Sequence, residues 1–415
     1  MMADRRVVIT GLGCVTALAE SADGLFEALC KGQSGVSDIE SFDTAAYPVH
    51  FGGEVKQFNP DNYINSRESK RMDRFTQMAL ASAIQAVQDS GLDFEQENKD
   101  RAGVIIGTGI GGIKEIEEQH IRILEKGPRK VSAFCVPKLM GNAASGCVSI
   151  QYGLRGPNMC VVTACASASH AIGEAFYNIL CNRSDIVVTG GSEAALTPIG
   201  LASFCALKSL STRNDAPRLA SRPFDVERDG FVLAEGAAVL ILEEYEHAKR
   251  RGATIYAEVL GYGATGDGYH ITAPLEDGSG AAKAMKLALS QARLNPDQID
   301  YINAHGTSTQ LNDAAEALAI KNIFGEHAYK LSVNSTKSCL GHSLGASGGI
   351  ELLVCSKTIR QGLIHPTINL NQVAPECDPK IDYVPRQVKE KKVKYALSNS
   401  LGFGGHNCSL IIGQV

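Results

Sequence analysis

The stretch Asn158-Met-Cys-Val-Val-Thr-Ala-Cys-Ala-Ser-Ala-Ser-His-Ala-Ile-Gly-Glu-Ala-Phe176 decides how the rest of the chain is read. Residues 159–163 form an apolar, β-branched run that predicts a buried strand. From Ala164 onward Ala, Ser and Gly dominate, which predicts a closely packed buried helix. Cys165 falls at the junction. A thiol there meets unpaired N–H groups and the positive end of the helix dipole, so the expectation is a nucleophile whose pKa lies below that of free cysteine. Cysteine also serves as a small buried hydrophobe. Two downstream histidines favour the chemical reading: His305 in Asn303-Ala-His-Gly-Thr-Ser-Thr309 and His342 in Gly341-His-Ser-Leu-Gly-Ala-Ser-Gly348. Both sit in Gly-rich segments that let backbone approach a ligand.

Working outward, alternating strand and helix signals predict an α/β protein. A short strand is expected over residues 7–10, ending in Gly11-Leu-Gly13, and Ser21 caps a helix stopped by Gly32. Helix periodicity returns over residues 74–90 and 113–125, and another helix is expected from near Pro137. Strands are expected over residues 102–108, 185–191 and 230–242. Residues 107–112, Gly-Thr-Gly-Ile-Gly-Gly, invite a dinucleotide-binding reading, but the glycine spacing is wrong and no downstream acid follows cleanly. A second half begins near Gly252, where Ala257-Glu-Val-Leu-Gly-Tyr-Gly263 echoes Val7-Val-Ile-Thr-Gly-Leu-Gly13. Helices over residues 281–293, 311–324 and 345–359 and strands over residues 299–304 and 331–334 follow. Residues 395–398 and 407–412 are expected to close the sheet.

Composition narrows the classes. At 415 residues and 44% apolar content the chain can bury a large core. Forty basic against forty-five acidic residues give no global footprint for nucleic acid or membrane binding. No apolar stretch reaches transmembrane length, and Asp4, Arg5 and Arg6 directly precede a strand, so neither signal nor transit peptide is expected. The twelve cysteines form no C-x-x-C pair and fall in apolar runs, which argues for a reducing, cytoplasmic or equivalent organellar compartment.

The Cys165, His305 and His342 motifs, in this order, resemble the β-ketoacyl-acyl carrier protein synthases, condensing enzymes of fatty acid synthesis in the thiolase superfamily. The resemblance runs from Arg5-Arg-Val-Val-Ile-Thr-Gly-Leu-Gly13 to Ser398-Asn-Ser-Leu-Gly-Phe-Gly-Gly-His-Asn407. Ser41-Phe-Asp-Thr44 and Phe51-Gly-Gly-Glu-Val-Lys-Gln-Phe-Asn59 place it nearest the type II branch. It implies a duplicated, five-layered αβαβα fold, halves over residues 1–251 and 252–415, and two stacked central helices with the Cys165 and His342 regions at their N-termini.

The implied reaction is decarboxylative Claisen condensation: an acyl group held as a thioester on Cys165 is attacked by the enolate of malonyl-acyl carrier protein, giving a β-ketoacyl chain two carbons longer. Two neutral imidazoles suit stabilisation of the enolate oxygen. By resemblance, Lys337 keeps the second histidine neutral through charge and hydrogen bonding. Phe403 gates the acyl pocket, and its N–H joins that of Cys165 as an oxyanion hole; Leu401 departs from the aromatic common there. Ile110 and Phe204 match pocket positions, while Thr307 and Thr309 match positions that bind pantetheine amides. The buried Glu351 pairs with Lys337 or with a structural monovalent cation shared with Asn303, Ser398 and Asn399. No catalytic metal or cofactor is implied, since the phosphopantetheine arrives on the carrier. Arg67, Lys70, Arg71 and Arg74, joined by Arg129, Lys130 and Lys208, form the implied docking surface for an acidic carrier. A homodimer is implied by the family alone. A polyketide-type ketosynthase and a non-catalytic, chain-length-factor-like subunit are the alternatives; the latter lacks the nucleophile that Cys165 supplies. Thiolases replace one histidine role with a second cysteine, and initiating synthases carry Asn where His342 stands.

Overall fold

A computed structural model describes residues 5–415, so Asp4 lies outside the described residues. The first half holds β1 (Val7–Thr16), α1 (Arg74–Ser90), β2 (Ala102–Gly107), α2 (Ala143–Tyr152), β3 (Asn158–Val161), α3 (Ser167–Leu180), β4 (Ile186–Glu193) and β5 (Gly236–Glu244). The second holds β6 (Ala257–Gly266), α4 (Ser279–Ala292), β7 (Tyr301–Asn303), α5 (Gln310–Phe324), β8 (Ser332–Asn334), α6 (Ser347–Gln361), β9 (Tyr395–Gly402) and β10 (His406–Gly413).

These strands form one ten-stranded sheet, ordered β8-β7-β9-β10-β6-β1-β5-β4-β2-β3. Read outward from the centre, the halves repeat one pattern. In each, the first strand pairs antiparallel with the last, which pairs antiparallel with the fourth; the fourth, second and third then run parallel. The halves join where β1 meets β6, with Val7 opposite Val259. Helices α3 and α6 lie between the halves of the sheet, α1 and α2 cover one outer face, and α4 and α5 cover the other. That makes the five layers of a thiolase-like fold. Apolar clusters fill the space around α3 and α6, the underside of α1, and the undersides of α4 and α5.

The echoed Gly-x-Gly has a physical cause. In β1 the register shifts across Thr10, and in β6 it shifts across Leu260, so both strands bulge one residue before the first glycine. A Cβ on Gly11 would stand 2.1 Å from the Ala86 carbonyl oxygen of α1; one on Gly261 would stand 2.2 Å from that of Ala288 in α4. Each outer helix presses backbone to backbone on its strand, and only glycine leaves room.

Several elements differ from expectation. The glycines expected to end the first strand lie inside β1. The helix expected from Pro137 is two pieces, Cys135–Leu139 and α2, interrupted at Met140. Residues 230–235 are irregular, and the strand begins only at Gly236. The pair β9 and β10 sits inside its half of the sheet rather than closing it. The strand leading to Cys165 is an edge, not a buried strand: Met159 is 39% and the following Val162 59% exposed. An apolar run does not distinguish a strand buried in the monomer from one with an apolar, uncovered edge. All twelve cysteines are free. Among the described residues no helix is long and apolar enough to cross a membrane.

Candidate active site

The chain leaves β3 through Thr163 and turns sharply at Ala164, whose φ of +49° lies in the left-handed region that a Cβ disfavours. The side chain of Ser167 clamps this turn, accepting from the Thr163 amide at 2.9 Å and donating to the Ala164 carbonyl at 2.7 Å. Cys165 therefore projects from a single tight turn directly before α3. The second half repeats the device: Leu344 has φ +44°, and the turn Leu344–Ala346 leads into α6.

His305 follows β7, and the carboxylate of Glu316 accepts from the amides of His305 and Gly306, both at 2.8 Å. The His342 amide donates to the Val232 carbonyl at 2.7 Å, and its Nδ1 lies 3.0 Å from Ser347 Oγ, leaving Nε2 free. The Cys165 sulfur and one ring nitrogen from each histidine lie within 4.8 Å of one another, all three residues being buried.

Burial, reinforced by the positive charge of Lys337, holds both imidazoles well below the usual histidine range, so they are neutral near pH 7. The thiol departs from expectation. Burial pushes it up to about 11, outweighing Lys337 and the N–H groups of Phe403 and Cys165 that favour its anion. Both amides lie near enough to the sulfur to favour its anion. Close approach makes this convergence fit, because a Cβ on Gly402 would stand 2.8 Å from the Thr163 carbonyl oxygen.

A cavity of about 590 Å³ opens above the sulfur. Its walls include Ile110, Phe204, Thr307, Thr309, Lys208 and Phe403 alongside Cys165, His305 and His342. Phe204 stacks edge-on against Phe231, at 5.5 Å between centroids. The Thr307 and Thr309 hydroxyls are 2.9 Å apart and face the same space. Leu401 also lines it.

Lys337 is buried and forms an ion pair with Glu351; its expected hydrogen bond to His342 is not formed, and its influence there is through charge alone. The expected cation ligands separate into two groups. Asn303 Oδ1, Glu351 Oε2 and Ser398 Oγ are buried without a hydrogen-bond partner among the described residues, and Asn303 faces Ser398 across the β7–β9 ladder. Such oxygens need a partner, and their chemistry fits a hard cation. The Asn399 side chain is already committed, donating to Glu316 and accepting from Ser409.

The basic cluster also divides. Arg67, Lys70, Arg129 and Lys130 are exposed. Arg71 lies over the Phe134 ring at 5.0 Å, which brings the Arg67–Arg71 segment beside the loop that follows Lys130. Lys208 stands apart at the cavity. Arg74 belongs elsewhere: it makes a bidentate pair with the buried Glu235, at 2.8 and 2.7 Å, and donates to the Val55 carbonyl.

Sequence reasoning missed Glu316, Glu193 and Ser347. Asp313 and Glu316 stand three apart in an Ala-rich helix, and both are fully buried. Two acids on one turn among apolar neighbours were the available signal.

Comparison with known proteins agrees with this geometry. Family models for the Beta-ketoacyl synthase N-terminal and C-terminal domains match residues 4–248 and 256–371. A curated 3-oxoacyl-[acyl-carrier-protein] synthase 2 from Synechocystis sp. is 48% identical, covering 98% of this chain and 97% of its own. One of the same name from Coxiella burnetii is 48% identical over 100% of both chains. Among solved structures, a beta-ketoacyl synthase from Burkholderia phymatum superimposes with TM-score 0.92 at 37% identity, covering 99% of this chain and 100% of its own. A ketosynthase in complex with its type II PKS acyl-carrier protein gives 0.92 at 36% identity over 100% of both chains. With the fold, the Cys-His-His constellation and full-length relatives in agreement, the chain belongs to the β-ketoacyl synthase family.

Proposed function

We propose that the protein elongates acyl chains by decarboxylative Claisen condensation with malonyl-acyl carrier protein. The observation that carries this is the convergence of one thiol and two neutral imidazoles within 4.8 Å of one another. The thiol sulfur attacks the acyl thioester carbonyl; its proton is lost and the departing carrier thiol takes one up, so the exchange is proton-neutral. The amides of Cys165 and Phe403 stabilise the oxyanion of that step. Malonyl decarboxylation releases CO₂ and leaves an enolate, whose oxygen accepts from the N–H groups of His305 and His342. The enolate carbon attacks the Cys165 thioester, the carbon–sulfur bond breaks, and the thiolate regains a proton. Neutral imidazoles donate without adding the cost of a buried charge, which is what the low histidine pKa values supply.

Thr307 and Thr309 would bind the pantetheine amides, Ile110 and Phe204 would bound the acyl chain, and Phe403 would swing on Gly404 and Gly405 as the gate. Asn303, Glu351 and Ser398 would hold a structural monovalent cation, which would satisfy their unpartnered oxygens. The exposed cations Arg67, Lys70, Arg129 and Lys130, with Arg71 and Lys208, would dock the acidic carrier. The uncovered β3 edge, flanked by exposed Ile150 and Val162, supports pairing with a second copy of the chain. Free cysteines throughout support a reducing cytosol.

The test is product analysis with acyl- and malonyl-loaded carrier. The wild type should release CO₂ and a β-ketoacyl chain two carbons longer. Cys165→Ala should keep CO₂ release and lose transfer, whereas His305→Ala and His342→Ala should each lower CO₂ release by about 10²-fold or more. Acyl transfer persisting without Cys165 would overturn the reading.

A further inference from the structure

Glu193 is a fully buried carboxylate at the end of β4 that the chemistry above does not use. Five donors converge on it: the amides of Gly109 at 2.6 Å, Ile110 at 3.1 Å, Gly111 at 3.4 Å and Gly345 at 3.1 Å, and the Thr108 hydroxyl at 3.0 Å. None of these donors is a cation, and among the described residues the carboxylate forms no salt bridge.

The internal repeat explains the arrangement. Ala164 and Leu344 share a positive φ, each opening the turn before a central helix, so Gly345 is the counterpart of Cys165. Strand β9, ending beside Phe403, is the counterpart of β4, ending at Glu193. Cys165 lines an open cavity, while the amide of Gly345 is occupied by the protein's own carboxylate. Gly345 also has no room for a side chain: a Cβ there would stand 2.3 Å from the Gly109 nitrogen and 2.7 Å from Glu193 Oε2.

We infer that Glu193 is a positioning residue for acyl-chain selection. By filling the second amide cradle, it pins the Gly109–Gly111 loop, and so the Ile110 wall of the cavity, against the turn that follows His342. Three of its donors belong to that loop, a fourth is Thr108 at its root, and the fifth is Gly345, three residues beyond His342. This inference rests on the acyl-transfer reading of the Cys165 site. The carboxylate also stands close enough to Cys165 to oppose formation of its thiolate.

Glu193→Gln keeps the shape but sets an NH₂ group among the N–H donors. Rates of Cys165 acylation by two-carbon and sixteen-carbon pantetheine thioesters, followed by intact mass, should separate: the long-chain rate falls by about tenfold or more while the short-chain rate stays within about threefold. Thr108→Val removes one donor with little risk to folding and should move the same ratio in the same direction by about threefold. The rate–pH profile of Cys165 alkylation by iodoacetamide should shift to lower pH in Glu193→Gln, because a neighbouring negative charge is gone. Equal losses for both chain lengths in both variants, or an unmoved ratio and alkylation profile, would overturn the inference. If wild-type Cys165 accepts neither acyl group, the acyl-transfer reading falls, and the alkylation profile still reports whether Glu193 acts on the site.

Discussion

The imidazoles of His305 and His342 meet edge to face, with centroids 5.3 Å apart and planes at 85°. Two charged rings at this separation in a buried site would repel strongly, and each lies within the influence of the Lys337 cation. The pair works only while both rings are neutral.

Malonyl decarboxylation should therefore stay flat on the acid side through pH 6.5 and fall only well below it, as the rings protonate. Stability shares the sign. Both folded pKa values lie below the unfolded one, so the contribution is full above about pH 6.5 and is lost as pH falls toward the folded values, by about 1.4 kcal/mol per pH unit for each ring. A decarboxylation rate with an acid limb centred at or above pH 6.5 would contradict the geometry.

Lys337→Met removes the cation from beneath the pair and leaves Glu351 buried without its partner. The acid limb of decarboxylation should move to higher pH, since the charge that depresses both rings is lost. Removing one member of a buried ion pair should cost about 3 kcal/mol or more, measured by urea unfolding at neutral pH. An unmoved acid limb would show that burial alone sets the histidine pKa values.

Gly11→Ala and Gly261→Ala place a methyl group against the Ala86 and Ala288 carbonyl oxygens at equivalent points of the two halves. Each should destabilise by about 2–3 kcal/mol in urea unfolding, and by similar amounts. Tolerance at one site and collapse at the other would break the equivalence of the halves.

Those glycines mark how much of the fold was legible. The Gly-x-Gly echo carried the repeat, but its cause, a helix backbone pressed on a bulged strand, emerges only when Ala86 and Ala288 are placed. Cys165 was legible because it stands at a strand-to-helix junction, and His305 and His342 because each stands in a Gly-rich segment. The sign of the thiol shift was not, because the helix end is local in sequence while desolvation is supplied by residues from both halves. Arg74 read as one of four surface cations from its neighbours in sequence. Its partner, Glu235, lies 161 positions away. Glu193 and Glu316 were hidden for a related reason, since most of their donors are backbone amides, which carry no sequence signature.

Charge reversal by Lys70→Glu with Lys130→Glu should raise the Michaelis constant for carrier-bound substrates by about tenfold or more and leave pantetheine thioesters within about twofold. The effect should shrink as salt is raised. Equal loss on both substrate types would remove these residues from docking.

The central claim is that Cys165 carries the acyl group between two half-reactions. Intact-protein mass after mixing with a long-chain acyl-carrier thioester, with peptide mapping and a chase by malonyl-loaded carrier, tests it most directly. The account predicts one acyl adduct on the Cys165 peptide that disappears on the chase as a β-ketoacyl product two carbons longer is released. An adduct on another residue, or product formed while Cys165 stays unmodified in single-turnover mixing, would contradict it.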